Sequence, residues 1–189
     1  MAKINPAFLL PPAIFLGLAV TFYFGLMREN PNGLPSVFLG KPVPTINLTD
    51  LRSDPAPTND DLMADGVKLV NYWASWCGPC RTEHPNLMTM QENGISIIGI
   101  NYKDNPANAL RFLDELGDPF IKVGADFTGR TAIEWGVTAV PETFVIDGYG
   151  QIVLRYPGPI TRSVYEKHIL PAIAEARAAT PPEQNPDPE

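Results

Sequence analysis

Cys77 and Cys80 are the only cysteines of the 189-residue chain, and they lie two residues apart in Trp73-Ala74-Ser75-Trp76-Cys77-Gly78-Pro79-Cys80-Arg81. Thiols at this spacing suit three kinds of chemistry: a structural staple, half of a metal site, or a dithiol that is oxidised and regenerated. A staple closing so short a loop removes little entropy from the unfolded chain. A zinc site needs about four ligands. The chain has only His84 and His168 to add, of which His84 lies four residues beyond Cys80 and could share its helix face. Inert core thiols are a poor fit, since Gly78-Pro79 between them is a poor core filler. A redox dithiol is the reading favoured over these three.

The flanking residues show how such a dithiol would work. Lys68 to Trp73 is a short apolar run and predicts a buried strand, and Cys77 to Gln91 has helical length and stops before Asn93-Gly94. A cysteine opening a helix sits among unpaired N–H groups at the positive end of the macrodipole, which favours its thiolate, the attacking species. This predicts Cys77 as nucleophile and Cys80, one turn on, as the resolving thiol. Pro79 suits a first turn, where the N–H it lacks has no partner. Gly78 leaves room for a substrate backbone. Trp76 is expected to flank the reactive sulfur and offer a polypeptide an apolar contact, whereas ordinary packing suits Trp73 and Trp135 better.

Further along, Ile95–Ile100 reads as a strand and Pro106–Leu116 as an amphipathic helix ending at Gly117. Thr128–Trp135 reads as a short helix. Thr143–Asp147 and Gln151–Arg155 form a predicted hairpin about Gly148-Tyr149-Gly150, and Arg162–Ala178 a closing helix bent at Pro171. Strands alternating with helices, then a hairpin and a helix, predict an α/β sheet with helices on both faces.

The ends have a different character. Residues 7–27, AFLLPPAIFLGLAVTFYFGLM, carry no charge, and about 20 apolar residues suffice to span a bilayer. This predicts a transmembrane anchor, kinked early by Pro11-Pro12, with residues 1–6 cytoplasmic because Lys3 precedes it. A cleaved signal peptide is the rival, but Tyr23–Met27 offers no clear small-x-small cleavage site. Residues 28–39 read as a linker, 40–179 as the domain and 180–189 as a disordered acidic tail. The net charge of −7 and the lack of a basic patch exclude nucleic acid as an expected partner.

The Trp-Cys-Gly-Pro-Cys sequence, together with Gly136-Val137-Thr138-Ala139-Val140-Pro141-Glu142-Thr143-Phe144, resembles the thioredoxin superfamily across about Gly40 to Ala178. The resemblance implies a thioredoxin-like fold, a central mixed β-sheet flanked by helices, with Val140–Pro141 cis beside the dithiol. Gly40-Lys41-Pro42-Val43-Pro44, Arg81-Thr82-Glu83-His84-Pro85 and Gly158-Pro159-Ile160 narrow it to the CcmG/DsbE group. That group implies a membrane-anchored periplasmic thiol–disulfide oxidoreductase, without metal or organic cofactor. Its substrate would be the disulfide in the Cys-x-x-Cys-His haem site of apocytochrome c, and its reductant a membrane thiol-electron donor of the CcdA/DsbD kind. Rival clients, an apocytochrome-binding chaperone, or an oxidase that introduces disulfides are the alternatives, the last disfavoured by the acidic residues. Thioredoxins carry a buried aspartate where this chain has Asn71, so that residue's proton-transfer role does not carry over. Glu83 and Glu142 are the carboxylates expected nearest the site, where negative charge would raise the Cys77 pKa.

Overall fold

The computed structural model describes residues 10–26 and 39–179, which divide into two units. The first contributes helix α1 (Leu10–Leu26). Pro11 and Pro12 fall in the first described turn of α1. Seventeen residues rise only about 26 Å, and among the described residues no helix is long and apolar enough to cross a membrane. The expected span of 7–27 extends past both ends of α1, and the expectations for 1–6, for most of 28–39 and for 180–189 lie outside the described residues.

The second unit is built on a six-stranded mixed sheet in the order β1-β4-β3-β2-β5-β6. Its elements in chain order are β1 (Thr49–Asp50), α2 (Asn59–Met63), β2 (Lys68–Trp73), α3 (Gly78–Glu92), β3 (Ser96–Tyr102), α4 (Pro106–Leu116), β4 (Lys122–Asp126), α5 (Arg130–Glu134), β5 (Glu142–Ile146) and β6 (Ile152–Pro157). The closing helix divides into α6 (Arg162–Val164), a π-turn (Tyr165–Ile169) and α7 (Leu170–Ala178). β2, β3 and β4 run parallel, whereas β5 pairs antiparallel with β2, β6 with β5 and β1 with β4. The bend expected at Pro171 takes a specific form. The Leu170 N–H reaches back to Tyr165 O across a widened turn, which accommodates a ring that cannot donate and would crowd the carbonyl four residues earlier.

β2 is buried on both faces, and its period of two divides the core. Leu69 and Trp73 point to the layer holding Leu87, Phe112 and Ile169, from α3, α4 and the closing helix. Val70 and Tyr72 point to the layer holding Leu62, Trp135 and Phe144. In the first layer the Phe120 ring stacks on Trp73 at 5.6 Å. Gly99 makes room for it, since a Cβ there would lie 2.7 Å from the Phe120 ring. Gly99→Ala is therefore expected to lower stability by about 1–3 kcal/mol through overpacking, measured by denaturant unfolding, with loss of near-ultraviolet dichroism from the displaced Trp73–Phe120 pair.

Candidate functional site

α3 begins where β2 leaves the sheet. Ala74 O accepts the Cys77 N–H at 3.2 Å, closing a turn with Ser75 and Trp76 at its centre. Cys77 is the N-cap of α3, and its sulfur accepts the Cys80 N–H at 3.1 Å. The helix end thus points an otherwise unpaired donor at the sulfur that must carry negative charge. Pro79 occupies the first turn. Cys77 and Cys80 are joined by a disulfide. Although they are only 4% and 2% exposed, exposed Gly78 and Pro79 form the surface over them. Trp76 is 58% exposed beside them. Val140–Pro141 is cis, and the Val140 carbonyl oxygen lies 3.5 Å from Cys77 Sγ. Trp76, Cys77, Gly78, Pro79, Cys80 and Pro141 therefore converge beyond the C-terminal ends of β2 and β3. A cavity of about 440 Å³ lined by Val67, Ile95 and Ile173 lies at the opposite ends of those strands; the dithiol does not line it.

Glu83 is one turn beyond Cys80 on α3 and only 1% exposed. One carboxyl oxygen accepts from Asn71 Nδ2 at 3.0 Å and the other from the Ile160 N–H at 2.8 Å. Burial pushes its pKa up to about 7, against the opposing effect of those two donors. Asn71 also donates to Thr143 Oγ1 at 3.0 Å. An aspartate in its place would set a second carboxylate against Glu83, and like charges so close cannot both ionise without large cost. The amide avoids that conflict. It donates to the ionised carboxylate, and its Oδ1, which has no partner in this arrangement, can accept from the protonated form if the amide turns over. Asn71, the departure from the thioredoxin aspartate, thus holds the buried Glu83 carboxyl group.

Glu142 corrects the expectation of a second carboxylate beside the dithiol. It is opposite Tyr72 in the β2–β5 register, whereas Thr143 is opposite Asn71. Alternation therefore sends Glu142 to the other sheet face, where it is fully buried. There it pairs with Arg155 and accepts the Thr138 N–H at 3.2 Å, while Arg155 also donates to Gly136 O. It braces the loop that carries Val140 and Pro141, and Arg155 neutralises its charge. His84 turns away from the thiols: its Nε2 sits 2.8 Å from Gly117 O, and its ring packs edge-on against Phe112 at 5.0 Å. Burial lowers its pKa.

Sequence reasoning did not find Asp104. One of its oxygens accepts the Ser75 N–H at 2.6 Å and Asn101 Nδ2 at 3.0 Å; the other accepts Ser75 Oγ and the Asn105 N–H, both at 2.8 Å. The available signal was Asp104-Asn105-Pro106, a helix-start pattern, but it points to Asn105, which caps α4.

A dithiol at a helix N-terminus, a buried carboxyl titrating near neutrality and an exposed aromatic beside the sulfur form a device for thiol–disulfide exchange. Known proteins agree. The Redoxin family matches residues 38–169. The thiol:disulfide interchange protein HelX of Rhodobacter capsulatus is 44% identical over 174 residues, 92% of this chain and 98% of its own. A DsbE homologue from Paracoccus denitrificans is 46% identical, covering 95% and 99% of the two chains. A solved DsbE-type structure from Chlorobium tepidum superposes with a TM-score of 0.63 at 28% identity, over 73% of this chain and 99% of that one. By its sequence, its fold and its paired cysteines, the chain belongs to the Redoxin family, among the thiol:disulfide interchange proteins of the DsbE and HelX kind.

Proposed function

We propose that the protein reduces the disulfide of the apocytochrome c haem site, Cys-x-x-Cys-His, from the periplasmic side of the inner membrane. The observation that carries the reading is Glu83, a buried carboxyl one turn beyond Cys80. Its ionised form disfavours a neighbouring thiolate and so favours electron donation. The similarity to thiol:disulfide interchange proteins named HelX and DsbE supports the exchange chemistry.

The exchange takes two steps. The Cys77 thiolate attacks one client sulfur, the client disulfide breaks, and the other client sulfur is expelled as a thiolate that takes a proton from water. Glu83 accepts the Cys80 proton, and the Cys80 thiolate attacks Cys77 Sγ, releasing the second client sulfur as a thiolate that takes up a proton from water and leaving the Cys77–Cys80 disulfide. Two electrons pass to the client, and a membrane thiol donor of the CcdA/DsbD kind restores the dithiol. Gly78 and Pro79 leave the approach to Cys77 open, and Pro141 and Val140 form the opposite wall. The uncharged run 7–27, of which α1 is the described part, anchors the domain as a single-pass segment.

Cys80→Ser is expected to trap a mixed disulfide through Cys77 with a disulfide-bonded Cys-x-x-Cys-His peptide, seen as a reducible adduct by mass spectrometry; Cys77→Ser should trap none. If the double serine variant still supported cytochrome c maturation, a chaperone role would replace the redox one.

Glu83 also gives a pH signature. The folded protein holds its proton up to about pH 7, whereas an unperturbed carboxyl releases it near 4.5. Between those values the unfolded chain binds fewer protons, so this group makes stability fall as pH rises, by about 3 kcal/mol in all. Glu83→Gln removes that slope, leaving the opposite contribution of His84 in place. The difference between parent and variant in denaturant unfolding at pH 5 and pH 8 should show it, and the Cys77 pKa, read from thiolate absorbance, should fall in the variant.

A further inference from the structure

We propose that Asp104 is a positioning residue for client recognition: through Ser75 and Lys103 it holds Trp76 as a fixed aromatic plate beside Cys77. The inference rests on the reading that Cys77 exchanges with a polypeptide disulfide.

The turn Ala74–Cys77 is closed by one backbone bond of its own, and its third residue is a large, exposed aromatic. An indole on so short a turn would sample several rotamers or fold onto nearby apolar surface, and ordering it on binding would cost affinity. The β3–α4 connection prevents that. Asp104 takes both the Ser75 N–H and the Ser75 hydroxyl, and Lys103 O takes Trp76 Nε1 at 3.1 Å. Three bonds from two adjacent residues thus grip the two central residues of the turn, and Trp76 still stays exposed.

The grip is itself anchored. Asp104 is tied to β3 by the buried Asn101 and to the start of α4 by the Asn105 N–H. Lys103 donates its N–H to Asp126 O at 3.0 Å. It has φ +44°, the left-handed region that a non-glycine side chain rarely adopts. Gly129 leaves the space its stem fills, since a Cβ there would come 2.2 Å from Lys103 Cε. Such backbone persists only where its surroundings over-determine it. Here it accompanies a Lys103 carbonyl that meets the indole. Capping does not explain Asp104, because Asn105 already accepts the Ala107 and Asn108 N–H groups.

The test compares two oxidants of the reduced protein: a small aromatic disulfide, dithiobis-nitrobenzoate, and a disulfide-bonded peptide carrying Cys-x-x-Cys-His. Asp104→Ala is expected to lower the second-order rate constant for the peptide about tenfold, the order expected for losing bonds to a charged acceptor. Its reaction with the small disulfide should stay within about twofold, since that reagent needs the sulfur and not the plate. Trp76→Ala should lower the peptide rate about tenfold as well, as truncation of an aromatic anchor does. Asp104→Ala with Trp76→Ala should be no slower than either alone, because the second change acts through the residue already removed. Asp104→Asn, which keeps one acceptor oxygen, should fall between parent and alanine. In Asp104→Ala the Trp76 Nε1–H should also lose its protection from hydrogen exchange.

Unchanged peptide kinetics in Asp104→Ala, losses that multiply to about a hundredfold in the double variant, or an equal loss with the small disulfide would each overturn the positioning role. A parent protein that reacts with the small disulfide but not with the peptide would overturn the client reading, and the positioning role with it.

Discussion

A carboxyl group buried one helical turn beyond a dithiol sets the terms for the rest of the domain. Among the described residues the hydrogen-bond partners of Glu83 are the Asn71 amide and the Ile160 N–H. Each partner comes from a different part of the chain. Asn71 is on the central strand, Ile160 lies between β6 and the closing helix, and the carboxyl itself is on α3. Asn86, one turn further along α3, donates to Ile160 O at 2.8 Å, so both polar groups of that one peptide residue are held by the helix that carries the thiols. The sheet order sets β5 beside β2 and so Thr143 opposite Asn71, and α3 brings Glu83 to the same amide.

Two opposed electrostatic effects meet at the sulfurs. The N-terminus of α3 and the Cys80 N–H favour a thiolate at Cys77, and the Glu83 carboxylate disfavours it. With Glu83 pushed up to about 7, the balance between them shifts within the neutral range. Glu142, neutralised by Arg155 on the other face, stands outside that balance. Its contribution is mechanical, since together with Arg155 it holds Gly136 and Thr138 and so fixes the loop that sets Val140 O beside Cys77 Sγ.

Much of this was legible in the residues. Lys68–Trp73 and Pro106–Leu116 match β2 and α4 end to end, because an apolar run beside a turn signal and an amphipathic run between proline and glycine are strong local patterns. The dithiol, its place at a helix start and the exposure of Trp76 followed from local chemistry. The cis bond at Pro141 followed only from family resemblance. β1, with two residues, and β4, Lys122–Asp126, were missed. The first is too short to carry a pattern, and Gly124 breaks the apolar alternation of the second where Leu48 and Pro57 pack close. The side of the sheet taken by Glu142 was recoverable in principle from alternation with Thr143, but only once the register with β2 was known. Asp104 reaches the turn before α3 through two bonds from Ser75, 29 residues away in the chain, and no local sequence pattern announces contacts of that kind.

A carboxylate buried beside the dithiol should make the couple more reducing. The measurement that tests it most directly is the reduction potential of the Cys77–Cys80 couple, by equilibration in defined dithiol buffers at neutral pH. An electron donor should show a value near or below about −270 mV, in the range of thioredoxin itself. A value near about −120 mV, that of a strong disulfide-forming oxidant, would contradict it.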